Sequence, residues 1–84
     1  MPKRTVIWSP EAKADLRAID RDTARRILEA IDHYLITGSG DVITLRSPRR
    51  EFRLRVGAHR VIFLRIEEST IEILRVRHRR EAYR

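Results

Sequence analysis

Apolar residues recur along this chain with two different periods. Ala12, Leu16 and Ile19 fall at i, i+4 and i+7, on one face of a helix predicted from about Pro10 to Ile19. Ser9-Pro10-Glu11 supplies an N-cap, a proline at the first helical position and an acid in the first turn. Ala24, Ile27, Leu28, Ile31 and Leu35 keep the helical spacing in a second segment, which either Asp20 or Asp22 can cap. Gly38 is placed to end that helix in a left-handed conformation. The short link Asp20-Arg21-Asp22 makes the pair an antiparallel helical hairpin. Gly38-Ser39-Gly40-Asp41 reads as a loop.

The other period is that of strands. TVIW at 5–8 is β-branched and aromatic, a short first strand. Residues 51–56 alternate, with Phe52, Leu54 and Val56 on one side and Glu51, Arg53 and Arg55 on the other. Residues 59–66, HRVIFLRI, read as a central strand and residues 70–77, TIEILRVR, as another, with a turn at Glu67-Glu68-Ser69. Gly57-Ala58 fits a two-residue hairpin loop. That loop sets Val56 opposite His59, Arg55 opposite Arg60 and Arg53 opposite Ile62. A second such loop at Glu68-Ser69 sets Glu67 opposite Thr70, Arg65 opposite Glu72, Ile62 opposite Arg75 and Arg60 opposite Arg77. The expected class is α+β, in the order β-α-α-β-β-β, with the helical hairpin packed on one face of a small, mainly antiparallel sheet.

In this register the helix-covered face carries Phe52, Leu54, Val56, Val61, Phe63, Leu74 and Val76. The opposite face carries Arg53, Arg55, Arg60, Arg75 and Arg77 at one end and Ile62, Leu64, Ile66, Ile71 and Ile73 at the other. Arg55, Arg60 and Arg77 then form a row across three strands. Each like-charged pair costs roughly a few tenths to 1 kcal/mol without a counter-charge. A phosphate lying across the row turns that cost into charge-assisted hydrogen bonds. The apolar end suits a helix or strand of another chain.

Composition sharpens the picture. Of 84 residues, 19 are Lys or Arg against 12 acids, a net charge of +7. Seventeen of the basic residues are arginine, and residues 41–84 carry 12 basic and 6 acidic side chains. A basic half-domain rich in arginine points to an anionic partner, most simply nucleic acid. The length suggests one domain over residues 1–84, with a small core. With no cysteine there is neither a disulfide framework nor a thiolate metal site. The N-terminus MPKRTVIWSPE lacks the apolar stretch of a signal peptide, and no apolar run approaches a membrane span. A cytoplasmic protein with no membrane partner is the expectation.

LR at 45–46, FRLRVGAHRVIF at 52–63 and VRHRREAYR at 76–84 resemble the RelE/ParE superfamily of type II toxins, whose usual pattern is close to "yRlRvGdyRviy" followed by "VgHRrevYr". The resemblance runs over nearly the whole chain in the family's element order. It implies a toxin neutralised by a cognate antitoxin, expected here to be acidic and to cover the apolar and basic sheet face. Members of the RelE branch cut mRNA in the ribosomal A site without metal or cofactor: the ribose 2′-hydroxyl attacks the adjacent phosphorus and the 5′-oxygen leaves. Members of the ParE branch poison DNA gyrase and are not nucleases.

Carried onto this chain, the RelE resemblance implies catalytic roles for Arg53, Arg55, Arg60, Arg79 and Tyr83, and a basic RNA-binding position at Arg46. Arg75 and Arg77 add to the RNA-binding row. Arg60 and Arg79 suit the stabilisation of charge on the nonbridging oxygens. Tyr83 suits stacking on a base or moving a proton. The second-strand residues are arginine here where well-studied nucleases of the branch have lysine, and an arginine is a poor general base. His78 is therefore a further candidate for proton transfer, the imidazole being the side chain best suited to that role near neutral pH. His59 is expected on the helix-covered face. Trp8 and Tyr34 are expected to pack in the core.

Overall fold

The computed structural model describes residues 5–45 and 49–82. Strand β1 (Thr5–Trp8) leads through Ser9 into helix α1 (Pro10–Arg17), and helix α2 (Arg21–Thr37) follows. Three strands in succession, β3 (Glu51–Val56), β4 (His59–Glu67) and β5 (Thr70–His78), form an antiparallel meander, preceded by a short strand β2 (Val42–Thr44). One helical turn, α3 (Arg79–Ala82), follows β5. The sheet order is β1-β5-β4-β3-β2, and β1 runs parallel to β5. No helix of the described residues is long and apolar enough to cross a membrane.

Local chemistry accounts for the breaks. The Ser9 hydroxyl accepts the Ala12 N–H at 3.0 Å and donates to the Leu74 carbonyl at 2.8 Å. It thus caps α1 and fastens the helix to the sheet. Of the two aspartates able to cap α2, Asp20 does so, accepting the Thr23 N–H at 3.0 Å. Gly38 ends α2 with φ 72°, a conformation a β-carbon disfavours. Helix α1 is two residues shorter than its apolar pattern suggests and stops at Arg17.

The helices bury Ala12, Ile27, Ile31 and Tyr34 against Leu54, Val61, Phe63, Ile71, Ile73 and Val76 of the sheet. Tyr34 and Phe52 each lie 5.5 Å, centroid to centroid, from the Phe63 ring. Trp8 packs against the edge of this core. Both hairpin loops have the expected two residues.

Two bulges change the register between β4 and β5 in the middle of the pair. Glu67 opposes Thr70 as expected, but Leu64, not Arg65, opposes Glu72, and Arg65 opposes Ile71. The first irregularity takes up Ile66 and the second takes up Leu74, after which Ile62–Arg75 and Arg60–Arg77 pair as expected. The alternation of β5 is therefore inverted on one side of Leu74. Ile71 and Ile73, expected on the arginine face, are core residues at 1% and 0% exposure. Leu74, expected in the core, is only partly buried. The reason is apolar: an in-register strand would leave two isoleucines outside, at roughly 1.5–3 kcal/mol each.

Replacing Ser9 with alanine removes the cap and the bond to Leu74 together. The Ser9→Ala protein should be about 1–2 kcal/mol less stable in urea unfolding, with an unchanged m-value.

Candidate nucleic-acid interface

The site begins at the β3–β4 turn. Gly57 adopts φ 58°, which lets the chain reverse in two residues and pairs Arg55 with Arg60. Arg60 in turn opposes Arg77, while Arg53 opposes Ile62, which opposes Arg75. Leu54, Val61 and Val76 point into the core, so the alternating neighbours Arg53, Arg55, Arg60 and Arg77 belong to the other face. The expected row is formed.

Its members differ in environment. Arg60 is buried, at 3% exposure. Its Nη1 donates to the Gly57 carbonyl at 3.5 Å and the His59 carbonyl at 3.3 Å, both long contacts. An anion held at this face would feel its field, and direct contact would require neighbouring side chains to move. The Arg53 Nε is buried and has no hydrogen-bond partner among the described residues. Arg55 is half exposed and lies 3.8 Å from Asp41, an exposed pair worth at most about 1 kcal/mol. A competing anion can displace that carboxylate. Arg79 is exposed at the start of α3.

Arg75 is committed elsewhere. Its Nε and Nη2 donate to the two Asp15 carboxylate oxygens at 2.8 and 3.0 Å. Asp15 also accepts the Val76 N–H at 2.9 Å. Burial raises the Asp15 pKa and is the largest single influence. The Arg75 bond, the Val76 N–H and the charges of Arg75 and Arg77 together outweigh it and hold Asp15 below the usual carboxylate value. Arg75 thus fastens α1 to β5 and is not an open phosphate ligand. Asp15 was not singled out in the sequence. Its signal was a carboxylate beside the apolar stripe of Ala12, Leu16 and Ile19.

The histidines are on the other side. His59 opposes His78, one step along from the Arg60–Arg77 pair, so both belong to the helix-covered face. Their rings lie 5.2 Å apart, edge to face. They line a cleft of about 340 Å³ together with Asp15, Ile19 and Asp20. The structure therefore does not bring His78 to the arginine row. Arg46 and Tyr83 lie outside the described residues. Among the described residues, no three His, Asp or Glu side chains gather as a metal site.

A family model described as the ParE toxin of the type II toxin–antitoxin system, parDE, matches residues 6–83. No curated protein sequence matches the chain. The fold is that of a chain in a RelB–RelE antitoxin–toxin complex from Methanococcus jannaschii: 22% identity, TM-score 0.73, covering 92% of this chain and 94% of that one. An archaeal RelE–RelB complex from Pyrococcus horikoshii OT3 matches at 26% identity and TM-score 0.70, covering 94% and 97%. The YoeB dimer from Staphylococcus aureus matches at 19% identity and TM-score 0.74, covering 92% and 98%.

The Asp15 clamp has a pH signature. A carboxylate whose folded pKa is lowered stabilises the protein above its unfolded value of about 3.8 and loses that contribution as pH falls through the folded value. Asp15→Asn should cost about 2 kcal/mol at pH 7. The gap in urea midpoint between the two proteins should shrink on acidification below about pH 4. A gap independent of pH would show that the ion pair contributes nothing.

Proposed function

We propose that this chain, which belongs to the ParE toxin family of type II toxin–antitoxin systems, acts as a ribosome-dependent, metal-independent mRNA endoribonuclease that inhibits translation. The observation that carries this reading is the row of Arg55, Arg60 and Arg77 on adjacent strands, with Arg53 beside it. Attack of a 2′-hydroxyl on the neighbouring phosphorus builds charge on the nonbridging oxygens. Fixed guanidinium groups stabilise that charge without reorganising during the step. Arg55 and Arg53 orient the phosphate, the buried Arg60 supplies a field in a low-dielectric setting, and Arg79 approaches from the C-terminal turn. No arginine is a good base, so water takes up the 2′-hydroxyl proton, and the Tyr83 phenol is our candidate to donate a proton to the departing 5′-oxygen.

The partner follows from the same charges. The M. jannaschii and P. horikoshii structures are complexes of RelE with RelB. An acidic antitoxin of that kind would cover the arginines and the adjoining Ile62 and Leu64, and so exclude RNA by competition. The bulge at Leu74 leaves this apolar strip smaller than the sequence suggested.

A second reading has an observation of its own. No side chain that titrates near neutrality shares the described arginine face, which suits a gyrase poison needing no proton transfer.

Purified protein added to translating ribosomes should give toeprints that mark cuts in the A-site codon. Arg79→Ala and Arg55→Gln, both at exposed positions, should each lower cleavage by ten- to a hundredfold with melting unchanged. Gyrase-dependent DNA breaks without mRNA cutting would replace this reading by the second.

A further inference from the structure

The β3–β4 turn gathers donors from its own strand and from the C-terminal turn. Its three successive carbonyls, of Gly57, Ala58 and His59, all accept: the outer two from Arg60 Nη1 and the middle one from the Arg79 N–H at 2.7 Å. The next amide, Arg80 N–H, donates to His78 Nδ1 at 3.2 Å. The His78 ring is in turn set edge to face against His59, the residue that follows the turn. Two consecutive amides of α3 are thus tied to this corner, one to a turn carbonyl and one to an imidazole nitrogen.

We infer that His78 is a positioning residue: neutral at Nδ1 and braced on His59, it caps α3 and thereby sets where Arg79 lies relative to Arg60. The first amides of a helical turn have no partner within that turn, and a side-chain acceptor satisfies one of them. Four residues cannot hold a helical turn by themselves. The turn needs the Ala58 carbonyl and the His78 nitrogen to keep its direction. The same assignment explains why a histidine on the helix-covered face matters to chemistry on the opposite face. With Nδ1 occupied as an acceptor, the neutral ring carries its proton on Nε2, and the ring lines the cleft of Asp15 and Asp20 rather than the arginine row. A small displacement of a charge-stabilising group lowers rate far more than it lowers binding.

The inference rests on the nuclease reading only for its kinetic consequence, so the test has two readouts. Amide hydrogen exchange is followed at Arg79 and Arg80 in the full chain, and ribosome-programmed mRNA cleavage is measured in parallel. Three substitutions separate the roles: His78→Ala removes ring and acceptor, His78→Phe keeps a ring without an acceptor, and His78→Asn keeps a short acceptor without a titratable group. His78→Ala and His78→Phe should exchange about tenfold faster at Arg80 than wild type. They should cut about tenfold more slowly, mainly in kcat. His78→Asn should restore slow exchange and keep cleavage within a few-fold of wild type. Unchanged exchange in His78→Ala overturns the inference. So does loss of cleavage in His78→Asn with the amides still protected, since that marks a proton carrier. If wild type cuts no mRNA, the nuclease reading fails, and the exchange series alone decides whether His78 is the cap.

Discussion

Like charges on adjacent strands repel, yet here three arginines lie side by side across the middle of the sheet. The arrangement survives because the two faces of a sheet are not independent. The register that pairs Arg55 with Arg60 and Arg60 with Arg77 is the one that sends Leu54, Val61 and Val76 into the core. Phe63, Ile27, Ile71, Ile73 and Val61 are fully buried, each contributing on the order of 1.5–3 kcal/mol. Repulsion across the row costs roughly 1 kcal/mol or less per pair. The core therefore sets the register, and the arginines are carried with it. A slip of one residue would relieve the charges and expose the core.

This coupling gives the molecule a stiff, charged face without a dedicated scaffold for it. Around the face, other groups sort the arginines by use. Asp15 takes Arg75 out of the row and uses it to hold α1 against β5. Asp41 screens Arg55 loosely, at a distance and exposure from which a phosphate can displace it. The turn carbonyls engage Arg60 and the Arg79 amide at one corner. Under the proposed function, an acidic protein partner and an RNA strand would meet the same guanidinium groups and so compete for them.

Much of the fold was legible because its signals are local. Ser9 and Asp20 cap helices through their own hydroxyl and carboxylate, and Gly38 and Gly57 reverse the chain through their freedom at positive φ. Period-2 alternation from 51 to 56 and two short turns were enough to place three arginines in a row. The short strand β2, which pairs with β3, and the single helical turn α3 were the elements not seen. Three residues carry too little periodicity to announce a strand.

The order of residues along the chain therefore decided the helical hairpin, the two tight turns, the face that Arg53, Arg55, Arg60 and Arg77 occupy, and the excess of basic charge in the second half of the chain. Tertiary structure decided the rest. Whether Ile71 and Ile73 lie inside depended on a bulge at Leu74, and a bulge is chosen by the competition of whole strands for a core, not by any residue's own preference. Which arginines remain available depended on Asp15 and Asp41, contributed by other parts of the chain and brought near only by packing. The place of His78 on the helix side likewise followed from strand pairing. Local propensity acts over a few residues, whereas these outcomes depend on groups tens of positions apart.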